Sequence, residues 1–397
     1  MPVSDLPPEI LDAIIDELQD DKKSLLRASL ACRAFYPRTR VYLFSAVSLS
    51  REMDGSCLHE LITRFPHLAL NFKSLQIVCL LYPRDLVTPP SIYDPFTAIA
   101  SLVNVTHLSL CSGDWHYMPD SVVSSLQSRS YRSLEVGLDF YFRSMGEICS
   151  LLKNSPDLQR VHITCQNSNI TEVQQCDVDH SLHRTAAPAV LRFDDSKDHS
   201  DSASGTLLKS VLSSGSCPFS CNNIHTLRID SSTSLPQCLN QYLSRSRSSL
   251  KHLHVNHIRP GIQSGKLHVS GVERISVTIF QLLIVQSGGA QASQMFEWWI
   301  SNLSAVNEHC AIRSIAFTII VYDPKRQEGH PASDWEDLWT RLDGCLTSSK
   351  MASLERVTIT FNSRPAEWDT LKAQMEGNFL GLKRLGREVI LDAPVRQ

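Results

Sequence analysis

A short pattern of apolar positions recurs along the chain from residue 70 onward. It consists of an apolar residue, two variable residues, a second apolar residue, one variable residue and a third apolar residue. Its nine copies begin at Leu75, Val105, Tyr131, Leu158, Ile224, Leu250, Val272, Ile312 and Leu354. The end of each copy alternates between apolar and variable positions, which is the period of a strand with one buried face. The pattern therefore predicts nine short β-strands.

Stretches with helical spacing separate these strands. Apolar residues recur every three or four positions over residues 57–65, 94–102, 119–127, 144–153, 206–212, 294–306, 335–346 and 368–379. Most copies of the strand pattern begin 22 to 30 residues after the previous copy, which is close to the period of leucine-rich repeats. One interval of 66 residues leaves room for a degenerate strand at 190–193, and the last two intervals, of 40 and 42 residues, require longer helices.

Such short alternation of strands and helices predicts parallel strands with the helices on one side. The predicted fold class is α/β, a curved, leucine-rich-repeat-like solenoid over residues 46–397 with parallel strands inside and helices outside. An α/β domain built from unrelated strands is the alternative. Residues 194–205 are rich in aspartate and serine and almost without apolar side chains, so they predict a flexible surface insertion.

The variable positions of each predicted strand point away from the buried face and form two rows. The third position of each copy gives Ile77, His107, Ser133, Arg160, Thr226, His252, Arg274, Ser314 and Arg356. The fifth position gives Cys79, Ser109, Glu135, His162, Arg228, His254, Ser276, Ala316 and Thr358. These rows are polar and mildly cationic, and the candidate binding residues within them are Arg160, His162, Arg228, His252, His254, Arg274 and Arg356.

A face of this kind is either solvated without a ligand or used for recognition. If it binds a ligand, we expect an acidic or phosphorylated segment, because arginine binds carboxylates and phosphates with two parallel hydrogen bonds.

The first 45 residues have a different, helical organisation. Ile10, Leu11, Ile14, Ile15 and Leu18 recur at helical spacing after two prolines that suit a first helical turn. A second apolar helix follows the acidic break at 20–21. A segment of about 40 residues rarely supports a core of its own, so these helices are expected to pack on the rest of the chain, on a partner, or on both.

The ordered motifs in this segment resemble those of an F-box. They are Leu-Pro-x-Glu-Ile-Leu from Leu6, Ile-x-x-x-Leu from Ile14, the run from Leu25 to Phe35 that includes Cys-Arg-x-Phe, and Tyr-Leu-Phe from Tyr42. The resemblance covers residues 4–45 and implies three short helices that bind the Skp adaptor of a cullin–RING (SCF) ubiquitin ligase. Carried over by position, the adaptor-facing residues would be Leu6, Pro7, Ile10, Leu11, Leu30, Cys32 and Phe35. Many F-box sequences have Trp where this chain has Phe35.

Composition and charge argue against several classes of protein. With 42% hydrophobic and 20% charged residues among 397, the chain has the composition of a globular protein, and its net charge of −3 gives no general attraction to nucleic acid or anionic membranes. The longest strongly apolar stretch, 275–285, is too short to span a bilayer, and the acidic, proline-containing start does not resemble a secretory signal. We therefore expect no nucleic-acid or membrane partner, reduced cysteines, and a cytoplasmic or nuclear location.

Candidate chemistry is scarce. The sequence has no P-loop, no dinucleotide-binding glycine motif, no Gly-x-Ser-x-Gly motif and no His-Glu-x-x-His motif. Cys217, Cys221 and His225 lack a nearby fourth ligand for structural zinc, and His252 and His254 lack further ligands on their strand. We therefore expect no enzymatic activity, no cofactor and no metal. The sequence predicts either a substrate receptor of an SCF-type ligase or a scaffold outside ubiquitin ligases, whose N-terminal helices only cap the repeats.

Overall fold

The computed structural model describes residues 6–50, 52–78, 97–142, 145–164, 186–194, 220–230, 235–245, 249–256, 266–281, 288–306, 310–321, 333–362 and 368–393. The chain divides into two compact units. Unit 1 comprises residues 1–163 and 167–186, and unit 2 comprises residues 164–166 and 187–397.

Unit 1 begins with three short helices, α1 (Pro8–Asp16), α2 (Lys22–Ala31) and α3 (Tyr36–Leu43), with a 3-10 turn at Arg33–Phe35. Pro7 and Pro8 occupy the start of α1, where a missing backbone N–H breaks no helical hydrogen bond. The Asp21 side chain caps α2 by accepting hydrogen bonds from the backbone N–H groups of Lys23 and Ser24 at 3.0 and 3.1 Å. Helix α3 contacts both α1 and α2, so the three helices form one small cluster.

Five parallel strands follow in unit 1. They are β1 (Ala46–Leu49), β2 (Ser74–Ile77), β3 (His107–Asp114), β4 (Ser133–Tyr141) and β5 (Arg160–Thr164). Each strand pairs with the next strand along the chain. The helices between them are α4 (Glu52–Arg64), α5 (Thr97–Ala100), α6 (Asp120–Gln127) and α7 (Met145–Leu152), and each contacts the next helix.

Unit 2 repeats this arrangement with seven parallel strands among the described residues. They are β6 (Val190–Asp194), β7 (Thr226–Asp230), β8 (His252–Asn256), β9 (Arg274–Gln281), β10 (Ser314–Val321), β11 (Arg356–Phe361) and β12 (Glu388–Asp392), again paired in chain order. The helices are α8 (Leu235–Arg245), α9 (Gly288–Ser304), α10 (Ser333–Leu346), α11 (Trp368–Asn378) and α12 (Leu380–Arg384). Both units are therefore α/β, with a solenoid-like order of parallel strands.

The core of each unit lies between the sheet and its helices. The apolar positions of the recurring pattern are buried wherever the copy is in register, as Leu134 is in unit 1 and Leu227 and Ile315 are in unit 2. In unit 2 the ring of Phe296 on α9 packs against Phe317 on β10 and Trp339 on α10, with centroid distances of 5.4 and 5.1 Å. Burying aliphatic and aromatic surface from neighbouring repeats in this way stabilises a unit whose repeats have little core of their own.

The structure confirms all nine predicted strands and the degenerate strand at 190–193. One register was wrong. In the first repeat, Leu75 pairs with Leu108 and Ile77 with Leu110, so the repeating unit begins at the buried Phe72 and not at Leu75. Ile77 therefore lies in the core instead of the polar row, and Cys79 lies outside the described residues. Strands β1 and β12 were not predicted.

The boundary predicted for the acidic insertion also needs correction. Asp194 is the last residue of β6, and its carboxylate pairs with Arg192, with an Nη2–Oδ2 distance of 2.5 Å. The remainder of that segment, 195–205, and the helix predicted at 206–212 lie outside the described residues. Among the residues that the structure does describe, no helix is both long and apolar enough to cross a membrane.

Candidate protein-interaction surfaces

Helix α1 carries two parallel apolar stripes, and helix α2 carries one exposed apolar stripe beside a single buried leucine. On α1, Leu11 and Ile15 are buried, whereas Ile10 and Ile14 are 49% and 43% exposed. On α2, Leu25 is buried, whereas Leu26 and Leu30 are 52% and 88% exposed. Residues four apart lie on the same side of a helix, so each helix buries one side in its own unit and presents an apolar stripe to solvent on another. The four exposed residues, Ile10, Ile14, Leu26 and Leu30, are named the outer apolar stripes below.

An ion pair with supporting hydrogen bonds joins α1 to α3. Arg38 donates from Nε to Asp16 Oδ1 at 2.6 Å and from Nη2 to Asp16 Oδ2 at 2.8 Å, and the Tyr42 hydroxyl donates to the same carboxylate at 2.7 Å. These hydrogen bonds, first from Arg38 and then from Tyr42, hold the pKa of Asp16 below its usual value. Thr39 is fully buried and its hydroxyl donates to the Phe35 carbonyl at 2.9 Å. The contacts fix the direction in which α1 presents its outer stripe.

The structure separates the residues predicted to face an adaptor into three groups. Pro7, Ile10 and Leu30 are exposed, and Leu6, Cys32 and Phe35 are half-buried. Leu11 is only 6% exposed and packs inside the chain, so its prediction as a surface residue was wrong. The sequence interpretation did not include the exposed Ile14 and Leu26 among the adaptor-facing residues. Each lies four residues from a residue that it did include, Ile10 and Leu30. That spacing is the signal that could have found them.

The open face of the unit 2 sheet has the predicted polar rows. The register places Thr226, His252, Arg274, Ser314, Arg356 and Glu388 side by side in one row. Arg192, Arg228, His254 and Ser276 follow one another in the next row. Five of the seven predicted binding residues therefore lie on one face of unit 2, namely Arg228, His252, His254, Arg274 and Arg356.

The two histidines of this face favour the neutral form. Burial lowers the pKa of His254, and the positive charge of Arg228 and the neighbouring His252 lower it further. Burial also lowers the pKa of His252, with an added effect of Arg274 that Glu273 opposes. Asp230 behaves in the opposite sense, because burial raises its pKa while a hydrogen bond from Asn256 lowers it. The side chains in this part of the face are half-buried.

A pocket of about 370 Å³ opens where β9, β10, β11 and β12 begin. It is lined by the residues just before or at the start of these strands, which are Glu273, Arg274, Arg313, Ser314, Glu355, Arg356 and Glu388. Every lining residue is charged except Ser314, and the signs are mixed. The pocket therefore brings together Arg274 and Arg356, which the sequence placed in one row with Ser314 between them.

The remaining two predicted binding residues lie in unit 1. Arg160 is exposed at the start of β5. His162 is half-buried, with its Nδ1 3.2 Å from Glu135 Oε1 on the neighbouring strand β4. Within the described ranges, no three or more His, Cys, Asp or Glu side chains are grouped so that they could hold a metal ion.

Comparisons with known proteins add no family to this description. No family model matches the chain, and no curated protein matches it.

Proposed function

We propose that this chain is the substrate-recognition subunit of an SCF-type cullin–RING ubiquitin ligase. In this proposal residues 4–45 are an F-box that binds a Skp-type adaptor, and the leucine-rich-repeat-like units bind a target protein. The observation that carries the proposal is the pair of outer apolar stripes on α1 and α2, within the segment whose motifs resemble an F-box. The chain would contribute proximity and orientation of the target, while the adaptor's ligase supplies the chemistry.

The energetics of the outer apolar stripes support a protein partner. Full burial of a Leu or Ile side chain stabilises an association by roughly 1.5–3 kcal/mol, and an isolated helix stripe in water gains none of this. Leu30 is 88% exposed, so almost its whole side chain is available for burial by a partner. Ile10, Ile14 and Leu26 would each add about half as much, because each is already about half covered. A few such residues commonly dominate the affinity of an interface.

The second candidate is a scaffold outside ubiquitin ligases, with the N-terminal helices acting as a cap for the repeats. The burial of Leu11 and the half-burial of Leu6 and Phe35 favour this candidate, because the helices do contribute to the interior of unit 1. A cap alone gives no reason for the exposure of Ile10 and Leu30. The SCF proposal accounts for both sets, because an adaptor-binding segment needs one stripe for folding and one for its partner.

The test is adaptor binding by the purified full chain. We expect a Skp-type adaptor to co-elute with the wild-type chain in size-exclusion chromatography and to bind with measurable heat in isothermal titration calorimetry. The double variant Ile10→Asp and Leu30→Asp places two charges in the interface, so we expect binding to weaken by about 100-fold or more.

The matched control is Leu385→Asp, because Leu385 is a similarly exposed leucine in unit 2. Its adaptor affinity should equal that of the wild type, and circular dichroism melting should show that both variants are folded. Unchanged adaptor binding by the folded double variant, or the absence of wild-type binding, would leave the scaffold as the better proposal.

A further inference from the structure

The pocket in unit 2 has a geometry that the proposed function does not by itself explain. Arg274, Ser314 and Arg356 occupy the same register position on the adjacent strands β9, β10 and β11. Neighbouring strands lie about 4.8 Å apart, so the two arginine Cα atoms are about 10 Å apart with the serine midway between them. An anionic group above Ser314 would therefore be within reach of two long cationic side chains and one hydroxyl.

The charges around the pocket are mostly paired within the chain. Arg356 donates from Nε to Glu388 Oε2 at 2.6 Å, and Arg313 Nη1 lies 3.7 Å from Glu355 Oε1. Glu273 in turn lies 4.0 Å from the ammonium group of Lys251, outside the pocket.

Arg274 is the exception. In the part of the chain that the structure describes, it makes no ion pair and no hydrogen bond through its side chain, and it is exposed to the pocket. After burial, the positive charge of Arg274 is the next cause of the lowered pKa of the adjacent His252. Of the three arginines that line the pocket, Arg274 is therefore the one available to bind an anionic ligand.

We propose that this pocket binds one anionic side chain of a partner segment, a carboxylate or a phosphate monoester, flanked in that segment by basic residues. Arg274 provides a planar pair of donors for the anionic oxygens, and the Ser314 hydroxyl donates from the neighbouring strand. Glu273, Glu355 and Glu388 surround this position, so they attract basic flanking residues and repel a second anion. The expected ligand is a mixed-charge segment and not a long acidic run.

This inference deepens the proposed function only in one respect. The statement that the bound segment belongs to a protein destined for ubiquitination rests on the proposed function. Binding of the segment to unit 2 does not depend on it. The Asp194–Asp230 cluster on the same face is a weaker candidate, because Arg192 already pairs with Asp194 and Asn256 already donates to Asp230.

The test uses immobilised synthetic peptides and the purified full chain. The four probes are lysine-flanked peptides with a central glutamate, a central phosphoserine or a central alanine, and a peptide whose central glutamate is flanked by glutamates. We expect the first or second probe to retain the chain at least tenfold better than the alanine probe, and the all-acidic probe to retain it less well. The first two probes distinguish a carboxylate from a phosphate.

Two variants make the test specific to the pocket. Arg274→Gln should reduce retention on the preferred probe by at least about tenfold, because a charge-assisted bidentate contact is lost. Arg384→Gln is the matched control, since Arg384 is an exposed arginine of unit 2 at the end of α12 and does not line the pocket, and its retention should equal that of the wild type.

The outcomes separate this inference from the proposed function. Equal retention on the anionic and alanine probes, a preference for the all-acidic probe, or an equal loss in both arginine variants would overturn the pocket proposal. The Arg274→Gln variant should still bind the Skp-type adaptor, and the Ile10→Asp and Leu30→Asp double variant should still bind the preferred peptide. A wild-type chain that binds the preferred peptide but no Skp-type adaptor would count only against the F-box assignment.

Discussion

Two glycines of the described residues have very different surroundings. A Cβ atom on Gly137 would lie 2.6 Å from the Cys111 carbonyl oxygen and 2.8 Å from the Cys111 Cα atom. The contact occurs at the irregularity between β3 and β4, where the register shifts after Leu110. Only a residue without a side chain allows this close approach of the two strands. A Cβ atom on Gly344, near the end of α10, would meet nothing within 4 Å.

We predict opposite effects of alanine at these two glycines. Gly137→Ala should destabilise unit 1 by about 1–3 kcal/mol, because backbone atoms cannot move aside as a side chain can. Gly344→Ala should leave stability unchanged or raise it by about 0.4–1 kcal/mol, because alanine loses less backbone entropy in a helix. Urea denaturation of the two variants and the wild type measures both changes. A Gly137→Ala variant as stable as the wild type would contradict the assigned strand contact.

His254 provides a second prediction at the residue scale. Its pKa in the folded chain is lowered from the ordinary 6.5, chiefly by burial, so the unfolded chain takes up a proton at a higher pH than the folded chain. The stability that depends on a neutral His254 is therefore present above about pH 6.5 and is lost as pH falls below that value.

The measurement is the thermal unfolding temperature at pH 7.5 and pH 5.5. We expect the His254→Gln variant to lose less stability between these two pH values than the wild type. The control variant is His268→Gln, because His268 is exposed, and its pH dependence should match that of the wild type. An identical pH dependence in all three proteins would contradict the prediction.

At the scale of elements, apolar periodicity was a reliable guide to the strands, and among the described α-helices of the repeats it missed only α8 and α12. Alternation of apolar and polar residues is a local property, and it placed eight of the nine predicted strands in the observed register. The pattern misplaced the first copy because Leu75, Ile77, Val78 and Leu80 fit two registers equally well. Pairing with the preceding strand decides between them, since Lys73 and Ser74 both donate to the Ser45 carbonyl.

The terminal strands were missed for a related reason. Strand β1 begins at Ala46, two residues after the Tyr-Leu-Phe motif, at the boundary between the predicted helical segment and the predicted repeats. Strand β12 lacks the first apolar position of the pattern, because Gly386 stands there. In the described structure β12 pairs only with β11, and a strand covered on fewer sides needs fewer apolar residues.

The pairing of each strand with its sequence neighbours leads to a prediction about cooperativity. Leu227 on β7 is fully buried, and its replacement by alanine should cost about 2–5 kcal/mol. In a repeat architecture the effect should be largest in the neighbouring repeats. Hydrogen–deuterium exchange of the Leu227→Ala variant should therefore be faster in β6 to β8 than in β10 to β12, relative to the wild type. Uniform acceleration across unit 2 would show that the unit unfolds as a whole.

At the scale of the whole molecule, the two proposed surfaces belong to different units. The outer apolar stripes lie in unit 1 and the charged pocket lies in unit 2. A substrate receptor requires two such separate surfaces, one for the ligase and one for the target. The Ile10→Asp and Leu30→Asp double variant should weaken adaptor binding alone, and the Arg274→Gln variant should weaken peptide binding alone.

The sequence by itself determined the α/β class, the order of strands and helices, and the polar character of the open sheet face. These features follow from the local periodicity of side chains along a strand or a helix. Only the tertiary structure decided which apolar stripe of α1 is buried, because both stripes have the same helical spacing. The third position of the pattern placed Arg274, Ser314 and Arg356 in one row, as the pairing of three strands confirms. Only the tertiary structure showed that Glu388 of β12 pairs with Arg356 and that these residues line a pocket, because the pairing of β12 with β11 is not encoded in any local pattern.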